Sequence, residues 1–201
     1  MDYNEIAPTL QTGDVVLFRS PSWISRLIDF ITDSIYSHAA MVFRTPGSHG
    51  RDGLFLWQSY EPDGGVIVEP LEAFLAKYLK GDPGSKFVIR QLTGQRTPAM
   101  LQALDTFMAE VKGRPFPSVM TWIVHWIGGN LGIPSGWKNF FCSQLVAQTY
   151  IQMGLVRKRP PAAAYTPGRF AARYKHIPFL KGASLGPEIP VTLPKNLRKG
   201  G

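Results

Sequence analysis

The 201 residues are 44% hydrophobic and 12% aromatic, enough to bury one substantial core, which excludes a disordered chain and argues for a single domain. The formal charge of +8 is uneven: residues 157–201 hold ten Lys or Arg against one acid, Glu188, and the first 156 hold 12 basic and 13 acidic residues, giving +9 and −1. The only cysteine, Cys142, excludes an intramolecular disulfide and a thiolate-rich structural zinc site.

At the N-terminus, MDYNEIAPTLQTGDVV has acids where an export signal would carry basic residues, so no signal peptide is read and a cytoplasmic protein is expected. Thr12-Gly13-Asp14 is a turn signal ahead of an apolar strand from Val15 to Phe18. Ser22 to Thr32 repeats apolar residues at spacings of three and four and predicts an amphipathic helix capped by Ser22. Further strands are expected at 38–43, 54–59, 66–68 and 86–91, with a short helix at 71–79. Thr97-Pro98 opens a helix that Gly113 ends.

Residues 115–137 read as a loop-rich, aromatic and glycine-rich stretch. Its most apolar part, Val119 to Ile127, falls well short of the roughly 20 residues that span a bilayer. Cys142 to Met153 is helical in pattern, with Gly154 as its C-terminal cap. Beyond residue 156, prolines and basic residues predict an extended wrap or tail.

The chemistry-bearing residues are few. Cys142 stands where loop gives way to helix, and a helix N-terminus favours a thiolate through free N–H groups and the positive end of the dipole. The alternative is a small core residue, as most free cysteines are. His38 follows Ser37 at the mouth of a strand, from which an imidazole can serve as base to a neighbouring thiol. Gln58, near the end of the next strand, offers an amide oxygen to hold the ring, as in Cys-His-Asn sites. The plainer readings are a structural histidine and an exposed strand residue. His49, His125 and His176 are scattered, so no metal is expected, and no nucleotide motif or cofactor site is found.

The order Gly13-Asp14-Val-Val-Leu-Phe, Ser37-His38-Ala-Ala-Met-Val, Gly113-Arg-Pro-Phe116, then Phe141-Cys142-Ser143-Gln144-Leu-Val resembles the permuted branch of the NlpC-type papain-like cysteine hydrolases, which includes relatives of lecithin:retinol acyltransferase. The resemblance covers about residues 11–155. It implies an α+β permuted papain-like fold, with a small antiparallel sheet or open barrel packed on the cysteine helix. Residues 1–156 would form the catalytic domain, and 157–201 a basic, Pro-rich extension wrapping on it or trailing from it.

The same resemblance implies acyl transfer to Cys142 with His38 as base. It departs at Gln58, where the family has an acidic residue (Glu61 and Glu69 are the rivals for that role), and at Gln144, where it has Glu. The Cys142 amide, with Tyr36 or Ser37, would hold the oxyanion. Phe116, Trp122, Trp126 and Trp137 are candidates for an apolar substrate wall or lid, with core packing or an internal helix the alternative.

The expected substrate is an acyl-containing peptide, lipid or thioester, and a lipid-directed acyltransferase is the second enzyme reading. A non-catalytic module docking on an anionic membrane or nucleic acid through the basic C-terminal region is a third. Nucleic acid is not the expected partner.

Overall fold

The computed structural model describes residues 1–20, 35–46, 53–81, 84–173 and 177–194, with the side chains of residues 119, 120, 122 and 123 excepted. The helix expected at 22–32, and His49 and His176, lie outside the described residues.

A six-stranded antiparallel sheet organises the chain. Its strands are β1 (Val15–Arg19), β2 (His38–Thr45), β3 (Gly53–Tyr60), β4 (Gly65–Pro70), β5 (Lys86–Arg90) and β8 (Ile189–Pro190), in the order β4-β3-β2-β1-β5-β8. Two shorter strands, β6 (Leu92–Thr93) and β7 (Ser184–Leu185), pair beside it. Five α-helices fall among the described residues: α1 (Tyr3–Ile6), α2 (Leu71–Gly81), α3 (Pro98–Val111), α4 (Val119–Asn130) and α5 (Cys142–Gln152).

Side chains alternate across a strand, so β1 feeds two cores. Val15 and Leu17 join Ala39, Met41 and Trp57 under α3 and α5, whereas Val16 and Phe18 join Ala40, Val42 and Leu56 under α1 and α2. Helix α5 lies against β2 and β3 and is buried nearly all round, as an internal helix must be. It is also pinned by polar bonds that only these partners satisfy. Trp57 Nε1 donates to Thr149 Oγ1 at 3.0 Å, and the Ser59 hydroxyl donates to the Phe140 carbonyl at 2.6 Å, just ahead of the cysteine.

The loop-rich reading of the stretch before the cysteine is corrected. Residues 119–130 are helical, with Ser118 accepting from the Thr121 amide at 3.2 Å as N-cap. Gly128-Gly129 had suggested loop, yet Gly129 serves packing: a Cβ there would stand 2.6 Å from the Ala164 nitrogen and 2.7 Å from the Ala163 carbonyl carbon. Glycine lets α4 settle on the 162–164 turn.

Of the wrap and the tail left open for the C-terminal part, the described residues among 157–194 take the form of a wrap. Arg90 donates to the carbonyls of Phe170, Leu185 and Gly186 at 2.7, 2.7 and 2.6 Å, and β8 extends the sheet. A buried guanidinium serving three carbonyls explains how a Pro-rich segment stays attached without long strands.

Candidate active site

Cys142 opens α5 and His38 opens β2, two elements that pack against each other. Cys142 is the first residue of α5, and its cap, Phe141, has no side-chain acceptor for the first-turn N–H groups. The Ala39 and Ser143 amides point at the Cys142 sulfur, which puts the thiol at the peptide that follows His38. The Ser143 hydroxyl donates its proton to the Tyr165 carbonyl at 2.8 Å and so has none left for the sulfur.

His38 lies among Phe18, Tyr60 and Phe74, with ring centroids 5.3, 5.2 and 6.4 Å away. Its Nε2 is 2.7 Å from Gln58 Oε1. The amide nitrogen of Gln58 in turn donates to Glu69 Oε1 at 2.6 Å. A carboxylate only accepts, so Glu69 turns the Gln58 nitrogen toward itself and the oxygen toward the imidazole. Nε2 must then carry the proton in the neutral ring, and Nδ1 is the basic nitrogen. Among the described residues Nδ1 has no hydrogen-bond partner.

Burial governs the electrostatics. It holds the His38 pKa down at about 4, against a smaller opposing effect of the Gln58 oxygen. It also pushes the Cys142 thiol up, outweighing the amides that favour a thiolate. The expectation of a thiol made acidic by its helix address is therefore corrected: at 6% exposure, lost hydration outweighs the helix N-terminus. The resting pair is a neutral thiol and a neutral imidazole.

A stability prediction follows for His38. Its proton binds more weakly in the folded protein than in the unfolded chain, so this contribution is complete above about pH 6.5 and lost as pH falls through about 4. It amounts to about 3 kcal/mol over that window. Urea titrations at stepped pH should show His38→Gln losing less stability than wild type between pH 6.5 and 4; parallel curves would contradict the shift.

The other candidates are placed as follows. The Tyr36 hydroxyl donates to Glu188 at 2.7 Å, and the Ser37 hydroxyl is 3.5 Å from the Phe18 carbonyl. The Tyr36 side chain is thus committed elsewhere. Phe116 is half-buried beside the bridge between Gly65 and Pro115, and the Phe140 amide donates to the Pro115 carbonyl at 3.3 Å. Trp126 is half-buried on α4, and the Trp122 side chain lies outside the described ones.

Trp137 packs edge-on against Phe107 of α3, at 5.3 Å between centroids, and lines a cavity with Gln152 at the far end of α5 from Cys142. Its ring contact is with α3. Glu61 lies in the short turn after β3, so of the two carboxylate rivals only Glu69 reaches Gln58.

The sequence did not single out the Ala39 amide or the linkage through Glu69. A backbone N–H carries no sequence signal. Glu69 stands opposite Leu56 and Gln58 opposite Ile67, a diagonal relation visible only once the register is set.

The fold is similar to that in the crystal structure of the metalloprotein yiiX from Escherichia coli O157:H7, with a TM-score of 0.51, 20% identity, and coverage of 95% of this chain and 93% of that one. A search of curated proteins gave no match. Residues 9–163, spanning His38, Gln58, Glu69 and Cys142, match the family described as permuted papain-like amidase enzyme, YaeF/YiiX, C92. With this match over most of its length, the chain belongs to the permuted papain-like amidase family and is a cysteine hydrolase of that type.

Proposed function

We propose that Cys142 is the nucleophile, His38 its general base through Nδ1, Gln58 the group that fixes the ring, and Glu69 the residue that positions Gln58. The observation that carries this reading is the 2.7 Å contact of His38 Nε2 with Gln58 Oε1, backed by Glu69. It leaves one tautomer, with the lone pair on the other nitrogen.

As the Cys142 sulfur bonds to the substrate carbonyl carbon, its proton passes to Nδ1. Amides at the start of α5, that of Cys142 among them, are suited to the charge that develops on the carbonyl oxygen. When the tetrahedral intermediate collapses, the C–N, C–O or C–S bond breaks and the imidazolium returns the proton to the leaving amine, alcohol or thiol. Water then gives a proton to Nδ1, its oxygen bonds to the acyl carbon, and the carbon–sulfur bond breaks to restore the thiol with that proton.

A neutral resting pair fits this order, since charge need exist only while substrate is bound. The yiiX neighbour is described as a metalloprotein. Among the described residues no three His, Cys, Asp or Glu side chains come together to hold a metal ion, and the proposed steps route nothing through one.

Turnover of matched amide, ester and thioester substrates tests the reading. Wild type is expected to hydrolyse at least one class, and Cys142→Ala none above background. Hydrolysis that survives Cys142→Ala would remove the nucleophile from the account. Adding an amine acceptor separates hydrolysis from acyl transfer by the mass of the product.

A further inference from the structure

Helix α4 carries an apolar face that nothing in the described structure covers. Val124, Ile127 and Leu131 recur at spacings of three and four and are 60%, 49% and 73% exposed, and Ile133, just beyond, is 60% exposed. Single exposed aliphatics are ordinary, whereas four within ten residues on one side form a patch that water solvates poorly. The opposite side of α4 is already used, with Gly129 seated on Ala163 and Ala164.

The chain segment that carries this face has charge of one sign. Residues 111–187 contain ten Lys or Arg and no Asp or Glu. Arg157, Lys158 and Arg159 are all exposed and lead directly into the 162–164 turn on which α4 rests. Lys138, also exposed, follows five residues after Ile133.

We propose that this face docks on an anionic phospholipid bilayer, with Val124, Ile127, Leu131 and Ile133 entering the headgroup–acyl boundary and the basic residues meeting lipid phosphates. No helix among the described residues is long and apolar enough to cross a membrane, and α4 has 12 residues, so it lies in the interface. An apolar insertion carried by a segment rich in basic residues and lacking acids is what a negatively charged surface favours. A second copy of the chain fits less well, because pairing this face with itself would oppose two basic segments that hold no acids.

The docked face adjoins the candidate nucleophile. Gln144, in the first turn of α5, donates to the Ser135 hydroxyl at 2.6 Å, which ties the loop after α4 to the end of the helix that bears Cys142. Docking would therefore bring the thiol to the lipid–water boundary. The docking does not depend on the hydrolase reading, and Cys142→Ala protein is expected to bind like wild type.

Flotation of the full chain with phosphatidylcholine vesicles, with or without about a third phosphatidylglycerol, tests the proposal. Wild type is expected to float with the anionic vesicles. The Ile127→Asp, Leu131→Asp double variant should lose about tenfold or more of that affinity. Replacing Arg157, Lys158 and Arg159 by serine should also weaken it, and about 0.5 M salt should reduce without abolishing wild-type binding.

Unchanged far-UV circular dichroism shows that the variants fold, and Val124→Ser with Leu131→Ser gives a milder pair should the aspartates unfold the helix. Three results would overturn the assignment: wild type that does not float, apolar-face variants that float like wild type, or a solution dimer that the aspartates dissociate with no vesicle binding at all.

Discussion

Replacing His38 by alanine is expected to lower the acylation rate of Cys142 by about 10²- to 10⁴-fold, the span that positioned general bases contribute. The reason is specific to this site. Burial keeps the thiol protonated, so there is no standing thiolate to attack without a base. Stopped-flow acylation with an activated ester would check this, and a rate unchanged by His38→Ala would mean that another group accepts the proton. Gln58→Ala should reduce the rate less, because it removes the orientation of the ring and leaves the base in place. Glu69→Gln should have the smallest effect, since a neutral amide can still accept from the Gln58 nitrogen.

The largest effect on stability is expected at Asp14. This carboxylate is 1% exposed at the entry to β1. It accepts from the Gln11 and Leu92 amides, each at 2.9 Å, and from Arg96 at 2.9 Å. Asp14→Ala leaves two amides and a largely buried guanidinium without their acceptor. Breaking a buried pair from one side costs about 3 to 5 kcal/mol.

Burial itself raises the Asp14 pKa against those donors, so the carboxylate is held by the structure at some cost of its own. Asp14→Asn should lose less, because one amide oxygen can still accept from backbone. Urea midpoints measure both, with an unchanged denaturant slope showing that the unfolded state is the same. A loss below about 1 kcal/mol for Asp14→Ala would mean that the turn at Gly13 closes without it.

How much could be read in advance depended on the range of the cause. β1 to β5 and the helices at 71–81 and 98–111 follow from local apolar periods and turn signals, and the structure has them within a few residues. The family resemblance rests on the Ser37-His38 and Phe141-Cys142 motifs, and the family match covers both. α4 stayed only an alternative because its two glycines weaken helical propensity, and the packing role of Gly129 lies in a turn some 35 residues away. For residues 157–194 the sequence left a wrap and a tail open, since the anchor is Arg90 on a distant strand.

The Cys142 thiol shows the other kind of limit. Its helix address was legible and correctly placed, but the sign of its pKa shift was not. Helix amides and desolvation act in opposite directions, and only the depth of burial decides between them. The same depth keeps the His38 imidazole neutral.

Intact-mass analysis after mixing with an activated acyl ester tests the central claim most directly, because one cysteine means one thiol to acylate. The account predicts a single acyl adduct on Cys142 in wild type, far slower formation in His38→Ala, and none in Cys142→Ala. An adduct that maps elsewhere, or one that forms on Cys142 at the same rate without His38, would contradict it.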